Sequence, residues 1–105
     1  MNVVPKNLMS LPRRADLSAL DRAALVFSSL SNPVRLGVLL RLTEREWSVN
    51  EMALDLEISQ SALSQHLGKL RHAGIVRSRR DRQTVFYHCS DAFVIRLLTE
   101  AGLMR

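Results

Sequence analysis

At Gly74 the spacing of apolar residues changes from the 3.6-residue period of a helix to the two-residue period of a strand, and after Cys89 it changes back. A chain with that pattern is neither a plain helical bundle nor a sandwich. Upstream, Leu17, Leu20, Ala24, Phe27 and Leu30 recur at steps of three and four, which reads as a helix from Asp16 to Leu30. Ser31-Asn32-Pro33 ends it and opens a second helix, with Pro33 suited to the first turn; Val34, Gly37, Val38, Leu39, Leu40 and Leu42 carry it to about Arg45. Ser48-Val49-Asn50-Glu51 has the Ser-x-x-Glu form of a capping box and starts a third helix to about Leu56, with Met52, Ala53 and Leu56 inward. Ser59 can cap a fourth, lined by Leu63, Leu67 and Leu70 and closed by Gly74. Ile75–Arg80 and Gln83–Cys89, rich in Val, Thr, Phe and Tyr, read as a hairpin about Asp81-Arg82. Ser90-Asp91 can cap a last helix from Ala92 to Leu103.

The expected fold is therefore mainly α with a small β-hairpin, in the order α-α-α-α-β-β-α. Two helices joined by a tight turn and followed by a two-stranded ribbon make a winged helix-turn-helix. The helix-turn-helix pattern wants a small residue early in its first helix and an apolar residue ten positions on, and Ala53 and Leu63 supply them. Glu57 stands in the turn where glycine is usual, at a cost of ~1 kcal/mol. The chain of 105 residues is long enough for one such domain, expected over residues 16–105. Residues 1–15, with Pro5 and Pro12, read as a loosely ordered arm.

Charge narrows the function. Fifteen cations against ten anions give +5, and thirteen of the cations are arginine, which suits phosphate and base stacking better than lysine does. A basic domain this small points to a polyanionic partner. On a helical wheel the fourth helix turns Leu63, Leu67 and Leu70 inward, and sets Ser61, Gln65, Gly68 and His72 within about 40° of the opposite pole. Ser64 and Lys69 flank that strip. An outer face of short polar groups nearly free of carboxylates is unusual for a merely solvated helix, and it suits the major groove of duplex DNA. Gln65 can pair with adenine, Ser61 and Ser64 with bases or phosphate, and Lys69 with phosphate, while Gln60 and Ser61 sit at the anion-favouring helix start. Arg77, Arg79, Arg80 and Arg82 gather around the hairpin tip with Asp81 as the only acid, and Arg79, Arg80 and Arg82 are the expected backbone contacts of the wing.

The end helices point to a second copy of the chain. From Ala92 to Met104, nine of thirteen residues are apolar and cover most of the circumference, so one side is left for a partner. The first helix also has spare apolar width at Leu25 and Val26. The expected dimer surface comprises Leu20, Phe27, Phe93, Val94, Leu97 and Leu98, and a two-fold pair would set two recognition helices about one DNA turn apart.

Leu30-Ser31-Asn32-Pro33-Val34-Arg35-Leu36, Ser59-Gln60-Ser61-Ala62-Leu63-Ser64-Gln65-His66-Leu67 and Gln83-Thr84-Val85-Phe86-Tyr87, in that order, resemble the ArsR/SmtB family of bacterial winged-helix repressors over about residues 17–103. The likeness is to the branch of the family that does not sense metals. It implies a homodimer that binds a promoter palindrome and occludes transcription, or that displaces another DNA-binding protein. At the family's helical cysteine motif this chain has Ser48 and Asn50. The Asp-x-His that opens the last helix in metal sensors is Asp91 followed by Phe93, so neither family metal site is expected. Leu40 stands where dithiol sensors place a cysteine.

The remaining thiol, Cys89, reads as a small buried residue and is the one candidate for sensing by thiol modification. His66 reads as a hydrogen-bonded structural histidine, and His88 and Cys89 point to opposite faces of a strand. One cysteine excludes an intrachain disulfide framework. There is no Gly-rich phosphate loop, no paired carboxylates and no nucleophile beside a base, so neither catalysis nor a cofactor is expected. The start, MNVVPKNLMS, lacks a signal-peptide core and no run approaches a membrane span, so a cytoplasmic protein is expected. Two other functions compete with a sequence-reading regulator. A winged-helix protein-interaction module would want an apolar or acidic fourth-helix face, and a low-specificity architectural DNA binder would need the arginines but not the Gln and Ser strip. The pattern leaves the effector unknown.

Overall fold

The computed structural model describes residues 14–104, with side chains from Ser18 onward. Residues 1–13 of the expected arm lie outside the described residues, and Arg14 and Ala15, assigned to that arm, are helical. The chain runs α1 (Arg14–Leu30), α2 (Pro33–Glu44), β1 (Trp47–Ser48), α3 (Val49–Leu56), α4 (Gln60–His72), β2 (Arg77–Asp81), β3 (Thr84–His88) and α5 (Ala92–Glu100).

Local signals set most boundaries. Asn32 Oδ1 accepts from the amides of Val34 and Arg35 at 2.9 and 3.1 Å, opening α2 with Pro33 in its first turn. Both halves of the α3 capping box form: Ser48 Oγ accepts from Glu51 N at 3.1 Å, and Glu51 Oε1 accepts from Ser48 N at 3.0 Å. Ser59 caps α4 and Asp91 caps α5, each accepting at 3.0 Å from the amide three residues on. Glu57 closes α3 with φ 56°, the left-handed region that favours glycine. Gly74 follows α4 at φ +77°, which lets Ile75 N reach back to Leu70 O at 3.2 Å.

Four features differ from the sequence expectation. The sheet has three strands in the order β1-β3-β2, because Trp47 and Ser48 pair antiparallel with Tyr87 and Phe86. The hairpin turns on Arg82-Gln83 rather than Asp81-Arg82, since Asp81 pairs with Thr84 and Arg82 takes φ 60°. Ile75 and Val76, expected in the first strand, precede it and are buried in the core. At the far end α5 stops at Glu100 rather than Leu103, where Gly102 takes φ +78° and Leu103 N returns to Leu98 O at 3.0 Å.

One core joins the elements: Val38, Leu39 and Leu42 of α2, Met52 of α3, Leu63, Leu67 and Leu70 of α4, and Val94 and Leu98 of α5 are each at most 1% exposed. Val94 and Leu98 were expected at the dimer surface. They face inward because α5 has one side that seals its own domain, so a partner chain has no access to them. The stripe of α1 behaves in the opposite way. Leu30 is buried and Val26 is half-buried against the core, whereas Leu20 is 51% and Phe27 53% exposed. Val26, read as spare width, therefore belongs to the core side of α1. Among the described residues no single helix is long and apolar enough to cross a membrane.

Candidate nucleic-acid interface

The core dictates which face of α4 is presented. Leu63, Leu67 and Leu70 lock one side into the core, where α4 packs against α1, α2 and α3, so Gln60, Ser61, Ser64, Gln65, Gly68, Lys69 and His72 are all exposed together. No carboxylate lies within α4. A Cβ built on Gly68 meets nothing within 4 Å, so the chain's own packing does not demand glycine there, and the bare backbone leaves room for close approach from outside.

Next to this face lies a cleft of about 240 Å³ between the start of α3, the first half of α4 and the hairpin. Asn50, Gln60, Ser64, Gln83 and Thr84 supply its polar groups, and Val49 and Val85 its apolar wall. It joins the strip on α4 to the wing as one surface. Asn50, Gln83 and Thr84 were missed by sequence reasoning as site residues. Gln83 and Thr84 adjoin the hairpin turn, a detectable signal, but nothing local marks Asn50, which reaches the site through the docking of α3.

The wing arginines divide into two groups. Arg80 pairs across the ribbon with Val85, which lines the cleft, so Arg80 shares the sheet face turned toward α4. Arg82 sits in the turn and is exposed, as is Arg80. Arg79 points to the other face. Its guanidinium donates to both carboxylate oxygens of Glu46, at 2.8 and 2.5 Å, and lies 4.6 Å from the Phe86 ring centroid. The paired hydrogen bonds from Arg79 hold the Glu46 carboxyl below the usual carboxylate range. Arg79, expected as a phosphate contact, is thus engaged within the chain, where it ties the base of the wing to the segment before β1. The ion pairs among the described residues are this one, Arg41–Asp55 and Arg45–Glu51; Lys69, Arg71, Arg77, Arg80 and Arg82 take part in none of them.

Cys89 stands apart from this surface. It is 5% exposed, its amide donates to Leu42 O at 3.0 Å, and burial pushes its thiol above the ordinary value, away from the reactive thiolate. Ser48 spends its hydroxyl on the α3 cap.

On the side away from the cleft, α1 and α5 leave apolar area open. Leu20, Phe27 and Phe93 are exposed, Leu97 is half-buried, and Phe27 meets Phe93 edge to face at 5.8 Å between centroids. Two apolar hollows, of about 340 and 440 Å³, flank Phe93.

Known proteins share both sequence and shape with this chain. The family described as Helix-turn-helix domain matches residues 30–79. The transcriptional activator HlyU of Vibrio cholerae is 40% identical over 90 residues, covering 86% of this chain and 79% of that protein. The biofilm growth-associated repressor of Agrobacterium fabrum is 35% identical over 94 residues, covering 90% and 80%. The solution structure of the homodimeric winged helix-turn-helix DNA-binding domain Mb0332 from Mycobacterium bovis, described as a possible ArsR-family transcriptional regulator, superposes with a TM-score of 0.79 at 26% identity, covering 89% of this chain and 86% of that one. A carboxylate-free recognition helix, a basic ribbon beside it and relatives of this similarity lead to one assignment: the chain belongs to the ArsR/SmtB family of winged helix-turn-helix transcriptional regulators.

Proposed function

We propose that the chain acts as a two-fold homodimer that reads a palindromic promoter site and represses transcription by occupying it, without a metal-sensing site. Gln60, Ser61, Ser64 and Gln65 of α4 contact base edges in the major groove, and Lys69 with the wing arginines Arg80 and Arg82 contacts backbone phosphate. Asn50, Gln83 and Thr84 extend this contact across the cleft, where a strand of the duplex passes between α4 and the wing. Arg79 supports the wing from behind. Leu20, Phe27, Phe93 and Leu97 form the dimer surface.

The observation that carries this reading is the continuity of the polar strip on α4 with the cleft and the free wing arginines. Base-reading amides and phosphate-binding cations lie on one surface there, which a protein-docking module has no use for. The homodimeric state of Mb0332 supports the two-fold arrangement, and Ser48, Asn50 and Phe93 at the family's ligand positions support regulation without metal. Relatives named both activator and repressor share the fold, and a dimer that displaces another DNA-binding protein from the same site would activate with the same contacts.

Titration of the protein onto a duplex selected from a random pool, and onto random DNA, at two salt concentrations tests the proposal. The expected result is two protomers per site and a preference of at least ~10³-fold. Weak binding with a steep salt slope and no preference would replace it with an architectural role. Absence of binding at low salt would favour a protein-docking module.

A further inference from the structure

Arg35 is 8% exposed, yet no carboxylate pairs with it among the described residues. A buried cation without an anion needs other acceptors. Its Nε donates to Ser29 O at 2.6 Å and one terminal nitrogen to Ser28 O at 3.4 Å, both carbonyls of the last turn of α1, where the helix dipole is negative. The other terminal nitrogen lies 3.3 Å from Nδ1 of His66, on α4. The same residue's amide donates to the Asn32 cap, so Arg35 is held at the α1–α2 junction by backbone and side chain together.

We infer that Arg35 is a positioning residue that keys the recognition helix to the end of α1 through His66, and that sequence-selective DNA binding requires the uncharged form of that histidine. A guanidinium only donates, so Nδ1 must present a lone pair and the ring proton must sit on Nε2. Protonation at Nδ1 removes the acceptor and sets a second cation against the first. Among the described residues no carboxylate compensates: Arg35 of α2 and Lys69 of α4 are the charges acting on His66, and the α1 carbonyls of Ser28 and Ser29 are taken by the Arg35 guanidinium. Burial, then these two cations, hold the imidazole below the usual histidine value, so the link is intact at neutral pH and opens as the solution becomes acidic. The consequence falls on selectivity. Since α1 also carries the open apolar face, the contact couples the dimer surface to the reading helix. Loss of it frees α4 to tilt on its leucines, while phosphate attraction through the wing persists.

The inference rests on the proposed DNA reading, and the test separates the two. The ratio of affinity for the selected duplex to that for random DNA is measured from about pH 8 to about pH 5.5. A pH effect on phosphate attraction alone acts on both duplexes and cancels in the ratio. The wild-type ratio is expected to hold near neutrality and to fall toward the acid end, by less than the roughly tenfold that a histidine of ordinary value would give at about pH 5.5, because the ring is held below that value. His66→Asn, which keeps an uncharged acceptor, should hold the ratio flat with pH, and His66→Leu should lower it at every pH. A wild-type ratio that does not change, or His66→Asn with the wild-type profile, overturns the positioning role and leaves the DNA reading intact. No preference at any pH overturns both. Should His66→Leu fail to fold, the ¹⁵N spectrum of wild-type His66 decides independently: an Nε2–H tautomer is expected, and an Nδ1–H tautomer refutes the contact.

Discussion

Replacing Leu20 by alanine should weaken the dimer about 30-fold and leave the folded protomer almost untouched. Leu20 is 51% exposed in the single chain. Full burial of a leucine side chain is worth ~1.5–3 kcal/mol, so the half still open stands for about 1 kcal/mol when a partner covers it. In the proposed two-fold dimer Leu20 would lie at the interface twice, which raises the loss to about 2 kcal/mol, or roughly 30-fold in the dimer Kd. Phe27 is 53% exposed and lies within about 20° of Leu20 on the helix, so the double variant Leu20→Ala/Phe27→Ala should lose roughly twice the free energy. Protomer stability should change by only about 0.5 kcal/mol for Leu20→Ala, because an exposed side chain leaves no cavity behind. Sedimentation equilibrium over a dilution series reads the Kd, and urea unfolding below the dimer Kd reads the protomer. An unchanged dimer Kd in both variants would show that the open face of α1 is not the dimer surface.

Further outcomes follow from the same structure. Gln65→Ala should relax base preference at one operator position by about 1–3 kcal/mol, read by competition with single-base variants of the selected duplex; an equal loss on random DNA would remove Gln65 as a base reader. Arg80→Ala should weaken all duplexes alike and flatten the salt dependence by about one phosphate contact, whereas Arg79→Ala should leave that slope unchanged, since Arg79 is bound to Glu46. Leu67→Ala, at a site 1% exposed, should cost ~2–5 kcal/mol in urea unfolding; a loss below 1 kcal/mol would mean the core collapses around the cavity. The Glu51 carboxyl is held below its ordinary value by the Ser48 amide and then by Arg45. The folded state therefore binds that proton more weakly than the unfolded chain. Its contribution to stability is complete above the ordinary glutamate value and disappears as pH falls through the lowered one. In Glu51→Gln the unfolding free energy should lose this part of its pH dependence, and an unaltered acid profile would remove the capping box as its source.

Much of the fold is legible residue by residue, because capping and period are local properties. Asn32, Ser48, Ser59 and Asp91 each satisfy an amide two or three positions away, so their helices start where the sequence says they should. Gly74 and Glu57 end helices through their own φ angles. The polar strip on α4 is equally local: once Leu63, Leu67 and Leu70 face inward, helical geometry turns Ser61, Ser64 and Gln65 outward.

Other features depend on chain segments far apart in sequence. β1 is two residues long, too short to carry a period, and exists because β3 offers it an edge. The apolar ring of α5 did not reveal that Val94 and Leu98 seal the core while Phe93 stays open, since the division depends on where the other helices lie. Arg79 looked like its neighbours in the basic cluster until Glu46, 33 positions earlier, was brought beside it. His66 and Arg35, 31 apart, meet only after α4 docks against the α1–α2 junction. Hydrophobic spacing and caps thus set the elements and the character of each face from the sequence alone. Which charge finds a partner, and which apolar side is left open, was decided by tertiary packing, because both depend on distances that exist only in the folded chain.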